Sequence, residues 1–218
     1  MAISRISALA LPSPTISIPG TYAAGDLIIV AACRANTTPA TVPAGWVTLS
    51  TAGANGVSLV IASKYAQSAS ESAASFAGAG ILLCGLYRGS LGIVFPSMGI
   101  AAQGTISSII NYGSVTNFRA GVEANWYLSF GAQLNTANSL ETAPTGMTNV
   151  NFETVSGSLK GAFHDTNGNQ FSNWTAPTVT LPNSAAYRSG SIQISEMTYP
   201  APSGGGGSYS PIDNLLIG

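Results

Sequence analysis

The chain has 218 residues, enough for a hydrophobic core, but only 7% of them are charged and the formal net charge is −1 at pH 7. Seven Lys and Arg residues spread along the chain are too few for the basic face of a nucleic-acid-binding protein, and the composition lacks the high charge of a disordered chain. The longest apolar runs, 27–33 and 79–86, are far shorter than the roughly 18 residues that cross a membrane, so neither nucleic-acid binding nor membrane insertion is expected.

Residues 1–24 are predicted to form an N-terminal arm or an edge strand. Residues 3–18 alternate loosely between apolar and polar types, and Pro12 and Pro14 interrupt them. Proline is tolerated at a sheet edge but not in a central strand. Because Pro12 also cuts the short apolar run, the sequence lacks the uninterrupted apolar core of a signal peptide. We therefore expect the protein to fold in the cytoplasm of the cell that makes it.

The chain is organised around residues 25–46. A Gly-Asp turn pair precedes the apolar run 27–33, and a Pro-x-Gly-Trp corner closes the stretch at 43–46. An apolar run of this length between turn signals predicts a strand that is buried on both faces. The Asn-Gly pair at 55–56 predicts a hairpin. Further strands are predicted at 47–49, 57–65 and 76–87.

The second half of the sequence repeats this pattern. A second Pro-x-Gly corner at 144–147 lies 101 positions after the first. At the same offset, Leu27, Ile29 and Ala31 fall on the apolar residues Leu128, Phe130 and Ala132. Residues 90–117 have apolar residues for two or three short strands and no capped amphipathic helix. The expected fold is an all-β, antiparallel, jelly-roll-like β-sandwich over 25–199, built from two similar halves at about 25–117 and 118–199.

The two cysteines, Cys33 and Cys84, both lie in apolar strand-like runs. They could be buried thiols that act as small hydrophobic residues, or they could form a disulfide between two core strands. Folding in the cytoplasm favours the thiols. Their spacing does not match a metal-binding motif.

No catalytic residue, metal site or cofactor is predicted, so the protein is not expected to be an enzyme. His164 is the only histidine and neighbours Asp165, but adjacent strand residues point to opposite faces, so a loop residue before a turn is expected instead of a catalytic base. Glu141 and Glu153 flank the second corner and could meet, but nothing else supports glycoside cleavage. A turn is also expected where alternating oxygen ligands for Ca²⁺ could be read from Asp165, Asn167 and Asn169.

The three tryptophans bear on carbohydrate binding, because sugars stack on exposed aromatic rings. Trp46 and Trp126 lie beside predicted strands and are expected in the core. Trp174 lies in the polar stretch 171–175 and is predicted to be the exposed ring that could stack on a ligand.

Residues 200–218 form a Gly-rich linker and an apolar tail. Four consecutive glycines at 204–207 predict a flexible tether. The tail could fold back onto its own domain, or it could be an anchor that docks on a neighbouring subunit. The apolar tail residues that would make this contact are Pro211, Ile212, Leu215, Leu216 and Ile217.

Five segments, GDLIIVAA, PAGW, SLVIASKYA, ILLCGLYRG and APTGM, carry a family resemblance. Over about 25–196 the chain resembles the Gly-Asp-Leu / Pro-x-Gly-Trp β-sandwich modules of bacteriophage virion proteins and related bacterial surface proteins. A second Gly-Asp-Leu motif is absent at 121–127, so the pattern does not define the residue at which the second half starts.

The resemblance implies a non-enzymatic structural protein of a virion, made in the cytoplasm of the host bacterium. A capsid decoration or head-fibre (minor capsid) protein is expected. Its expected partners are its own copies, in a trimer, and the major capsid protein or a tail platform. The low charge agrees, since a surface poor in charge is poorly protected against association. The alternative is a tail-fibre or receptor-binding module that binds host surface carbohydrate.

Overall fold

The computed structural model describes residues 3–99, 106–116, 125–134, 137, 140–155, 158–175 and 178–196. Within these ranges the chain forms β-strands and no helix. The strands are β1 (Ile3–Leu11), β2 (Thr15–Ile16), β3 (Leu27–Arg34), β4 (Val47–Ala54), β5 (Val57–Tyr65), β6 (Ala74–Ser75), β7 (Ile81–Gly89), β8 (Ile93–Gly99), β9 (Ile106–Asn111), β10 (Asn125–Gln133), β11 (Thr148–Val155), β12 (Leu159–Asp165) and β13 (Thr178–Glu196).

Two antiparallel sheets pack face to face. The first has the strand order β1-β7-β3-β5-β4 and the second the order β11-β12-β10-β13-β8, while β9 pairs with the first part of β13. The strands β2 and β6 form a small separate pair. The predicted all-β antiparallel sandwich, built from two similar halves, is confirmed.

Each half of the chain supplies one sheet. The order β7-β3-β5-β4 recurs as β13-β10-β12-β11, and the bulge between Thr48 and Ser50 recurs between Asn149 and Asn151, 101 positions later. The edge partners of β13 are β8 and β9, which lie before residue 118 and which the sequence analysis placed in the first half. The structural halves therefore meet at the turn between β7 and β8. In the second half β13 pairs with the earlier strand β8 at the sheet edge, just as β7 pairs with the earlier strand β1 in the first half.

Local sequence explains the strands of the first sheet. The runs predicted at 27–33 and 57–65 are β3 and β5, and β1 lies at the edge of the described sheet, where β7 is its one strand partner among the described residues. Asn55 and Gly56 have φ angles of 52° and 82°, as a two-residue hairpin turn with positive φ at both positions requires. The strand predicted at 76–87 begins only at β7, because Phe76 packs on the outer face of the sheet instead.

The main core lies between the sheets. Leu27, Ile29, Ala31 and Cys33 of β3 point into it, and from the second sheet Phe163 stacks on Phe130 with ring centroids 4.4 Å apart. Phe163 also lies over Gly85, where a Cβ atom would come within 2.6 Å of its ring. Glycine is therefore required at Gly85 for the two sheets to approach this closely.

The outer faces of the sheets are also covered. On the first sheet, Ile28, Val30 and the other even-numbered apolar residues of β3 are buried under loop residues such as Tyr22 and Phe76. This second burial explains why β3 is apolar at consecutive positions. The outer face of the second sheet is polar by comparison: the Ser129 and Ser191 hydroxyls lie 2.7 Å apart, and Ser191 donates to the main-chain oxygen of Tyr112 at 2.6 Å.

The alternation of β3 and β7 also settles the cysteines. Cys33 points into the core between the sheets and Cys84 onto the outer face of the first sheet. Both are free and buried, so the thiols favoured by the sequence are confirmed and the disulfide is excluded. Burial raises the pKa of both thiols to about 12, which leaves them unreactive at neutral pH.

A buried carboxylate joins the two sheets. Asp165, at the end of β12, is fully buried, and its Oδ2 accepts hydrogen bonds from the Arg5 guanidinium at 2.5 Å and the Tyr87 hydroxyl at 2.9 Å, both in the first sheet. Its Oδ1 accepts from Thr148 Oγ1 at 3.1 Å. Burial, together with the charge of Asp165, holds the pKa of Tyr87 well above its usual range, so the phenol stays protonated and donates. A charge can be buried only when it is paired and hydrogen-bonded in this way.

Replacing Asp165 with asparagine should weaken the interaction between the two sheets, because Arg5 loses its anionic partner. We expect Asp165→Asn to lower the free energy of unfolding, measured in urea, by about 3 kcal/mol. The control Arg34→Gln removes a cation that donates to a single main-chain oxygen, that of Thr38, and should cost no more than about 0.5 kcal/mol. Equal losses in the two variants would contradict an anchoring role for Asp165.

Candidate functional site

Trp174 lies in the loop between β12 and β13, as predicted, but its ring is half-buried instead of exposed. It stacks on Tyr127 with centroids 5.2 Å apart and planes 26° apart. Its main chain exchanges two hydrogen bonds of 2.8 Å with Val115, which fixes the loop against the outer face of the second sheet. The polar neighbours 171–175 predicted the loop, but they could not predict that Tyr127 of β10 would cover one side of the ring.

A shallow depression of about 400 Å³ lies beside this ring, and we call it the Trp174 depression. It combines the second corner, the loop after β12 and the start of β13. Its lining contains hydrogen-bonding groups without charge, since it consists, besides Trp174, of the hydroxyl residues Thr145, Ser172, Thr175 and Thr178 and the amide residues Gln170 and Asn173.

The other two tryptophans are structural. Trp126 is buried in the core between the sheets, edge-on to Tyr87 at 6.0 Å, as expected. Trp46 is half-buried on the outer face of the first sheet, where it meets Phe76 edge-on at 5.3 Å. Neither contributes to the Trp174 depression.

His164 and Asp165 do not form a catalytic pair. Asp165 bonds to the first sheet, whereas His164 points to the opposite face, where its Nε2 lies 3.4 Å from the Tyr112 hydroxyl. The expected loop position of His164 is wrong: it lies within β12 and is fully buried, because β12 continues to the residue before the turn. The turn itself is present, with Asn167 at a φ of 45°.

The remaining acidic candidates are also separated. Glu141 pairs with Lys160 at 3.1 Å, whereas Glu153 lies opposite Gly161 in the β11–β12 register. Since Lys160 and Gly161 are adjacent on β12, their partners lie on opposite faces of the sheet. Among the described residues, no group of three or more His, Cys, Asp or Glu is placed to hold a metal ion.

Most charged side chains in the described ranges are bonded to one another. Among the described residues, four ion pairs join Arg5 to Asp165, Lys64 to Glu71, Arg88 to Asp26, and Lys160 to Glu141. The Arg88 guanidinium donates to both carboxylate oxygens of Asp26, at 2.7 and 2.5 Å. Sequence reasoning missed these pairs, although a charged residue inside an apolar strand, such as Arg5, signals a buried partner.

The predicted tail contacts lie outside the described residues. These are Pro211, Ile212, Leu215, Leu216 and Ile217. Within the described ranges there is no helix that is long and apolar enough to cross a membrane.

Comparison of this chain with protein-family models, with curated proteins and with solved structures gives no match.

Acidification should destabilise the protein through His164. Burial lowers its pKa from 6.5 to about 4, so between these pH values the unfolded chain binds a proton that the folded protein does not. The stabilising contribution of neutral His164 is complete above its unfolded pKa and is lost as the pH falls towards 4, by roughly 3 kcal/mol in all. Over this pH range, the free energy of unfolding in urea should fall less steeply with decreasing pH for His164→Phe than for the wild type. Identical slopes would contradict this prediction.

Proposed function

We propose that the protein is a non-enzymatic structural protein of a bacteriophage virion, made in the host cytoplasm and working by association instead of catalysis. A capsid decoration or head-fibre protein fits best, with its own copies, as a trimer, and the major capsid protein or a tail platform as partners. The observation that supports association is the internal pairing of charge, which leaves the described surface with little ionic protection.

The charges are also distributed unevenly over the sandwich. Residues 35–63 and 89–118 contain no charged side chain, and they include β4, β8 and β9, which we call the uncharged flank. The strand β4 packs against β13, the neighbour of β8 in the second sheet, so β4 and β8 lie on the same side. The opposite side, where β1 packs against β11, carries Arg5 and Glu153.

The uncharged flank has the features of a contact surface. Val47 at the start of β4 is 52% exposed, and Ile106 and Ile109 of β9 are 70% and 49% exposed. Within the described part of the chain, β4 pairs only with β5, so its other edge carries main-chain groups without a strand partner. Edge strands are usually protected by charged side chains. Because β4 has no charged side chain, its edge is favoured for pairing with another copy.

A charge on the uncharged flank should weaken self-association. Thr48 of β4 and Asn149 of β11 hold equivalent places before the repeated bulge, and both are exposed. In sedimentation velocity, we expect Thr48→Lys to raise the dissociation constant of the oligomer at least tenfold, about 1.4 kcal/mol, and the matched control Asn149→Lys to leave it unchanged. A wild type that stays monomeric, or equal effects of both changes, would contradict the proposed interface.

The tail is the second proposed contact. We expect deletion of residues 208–218 to abolish incorporation of the labelled protein into virus particles, because the apolar anchor is lost. The urea unfolding of the truncated chain serves as the control, and it should match that of the full chain. If the truncated protein joins particles as the wild type does, the docking role of Pro211, Ile212, Leu215, Leu216 and Ile217 is wrong.

The alternative function, a tail-fibre or receptor-binding module for host carbohydrate, is favoured by the Trp174 depression alone. An image of particles labelled on this chain would separate the two candidates, since a decoration protein labels the head and a tail-fibre module labels the tail.

A further inference from the structure

We propose that the Trp174 depression binds an uncharged saccharide. The fold does not require an indole at position 174. The first half contains an equivalent contact, in which Ile16, before β3, pairs with Ala74, after β5. In the second half Val115, before β10, pairs with Trp174, after β12. A small alanine is therefore sufficient for the same bridge.

The indole of Trp174 also destabilises the folded protein. The Nε1 atom of Trp174 is buried and has no hydrogen-bond partner among the described residues, and leaving a buried donor unpaired destabilises a protein by about 1–3 kcal/mol. A phenylalanine could stack on Tyr127 and avoid this cost. The Nε1 atom of Trp126 is also buried without a partner among the described residues, but Trp174 differs in lying beside a depression lined by polar groups, so its larger ring fits a role beyond packing.

The chemistry of the lining selects the class of ligand. The four hydroxyl residues and two amide residues of the Trp174 depression can donate and accept hydrogen bonds but offer no charge to an ionic ligand. A purely apolar ligand would cover these groups without bonding them, which is unfavourable. A saccharide offers hydroxyl groups to the polar lining and an apolar C–H face to the ring, a combination that suits an aromatic side chain among a few polar groups.

The support beneath the ring favours binding as well. Tyr127 lies in the central strand β10, and its hydroxyl donates to the main-chain oxygen of Ser172 at 2.7 Å, within the loop that carries Trp174. The stacked pair and this hydrogen bond hold the ring in one orientation. A platform that is already ordered loses less conformational entropy when a ligand binds.

The test uses the full chain and neutral oligosaccharides of hexoses and N-acetylhexosamines, first on an array and then by calorimetry. Trp174→Phe keeps a ring on Tyr127, and Thr175→Arg fills the depression from an exposed position without changing the stack. The matched control is Trp46→Phe, at the corner of the first half. We expect saturable binding by the wild type and by Trp46→Phe, and binding at least tenfold weaker in the other two variants, with all four proteins showing cooperative thermal unfolding.

The proposal is overturned if the wild type binds no neutral oligosaccharide saturably, or if binding survives in both Trp174→Phe and Thr175→Arg. Its failure is distinguishable from that of the assembly role, because saccharide binding is measured on the isolated protein and assembly on particles. Trp174→Phe should still join particles as the wild type does.

Discussion

The structure depends on the burial of the central strands of both sheets on both of their faces. The core between the sheets covers the inner faces, and loops that pass over the outside cover much of the rest. Strands in this environment are apolar at consecutive positions, as β3 is, or carry hydrogen-bonded polar residues on their outer face, as β10 does. Few positions remain where a charged side chain is tolerated, and the fully buried Asp165 is paired with Arg5 of the opposite sheet.

Different residues cover the outer faces of the two sheets. In the first half, the corner residue Trp46 and the neighbouring Phe76 cover an apolar outer face. In the second half, the corner residue is Met147, and the large ring is Trp174, on the loop instead of the corner. This outer face is also lined with hydrogen-bonded serines. The Trp174 depression is thus a feature of one half only, superimposed on a shared architecture.

Much of the fold could be predicted because its signals are local. The apolar run of β3, the Asn-Gly hairpin and the two Pro-x-Gly corners each depend on residues adjacent in sequence, and Gly45 and Gly146 have positive φ angles of 81° and 84° in the corners. The candidate site was predicted less well. Trp174 was correctly placed in a loop, but its stacking on Tyr127 joins elements that are far apart in the chain, and His164 belongs to β12 because hydrogen bonds to β10 and β11 extend that strand.

The sequence by itself determined the strand content, the repeat of two similar halves and the shortage of charge, since composition, periodicity and turn residues act within a few positions of one another. Only the tertiary structure decided that each half forms its own sheet, that β8 and β9 belong with the second, and that Arg5 meets Asp165. These contacts join residues as many as 160 positions apart. No local pattern specifies them, because they arise only when two complete sheets pack together and their few buried charges must find partners.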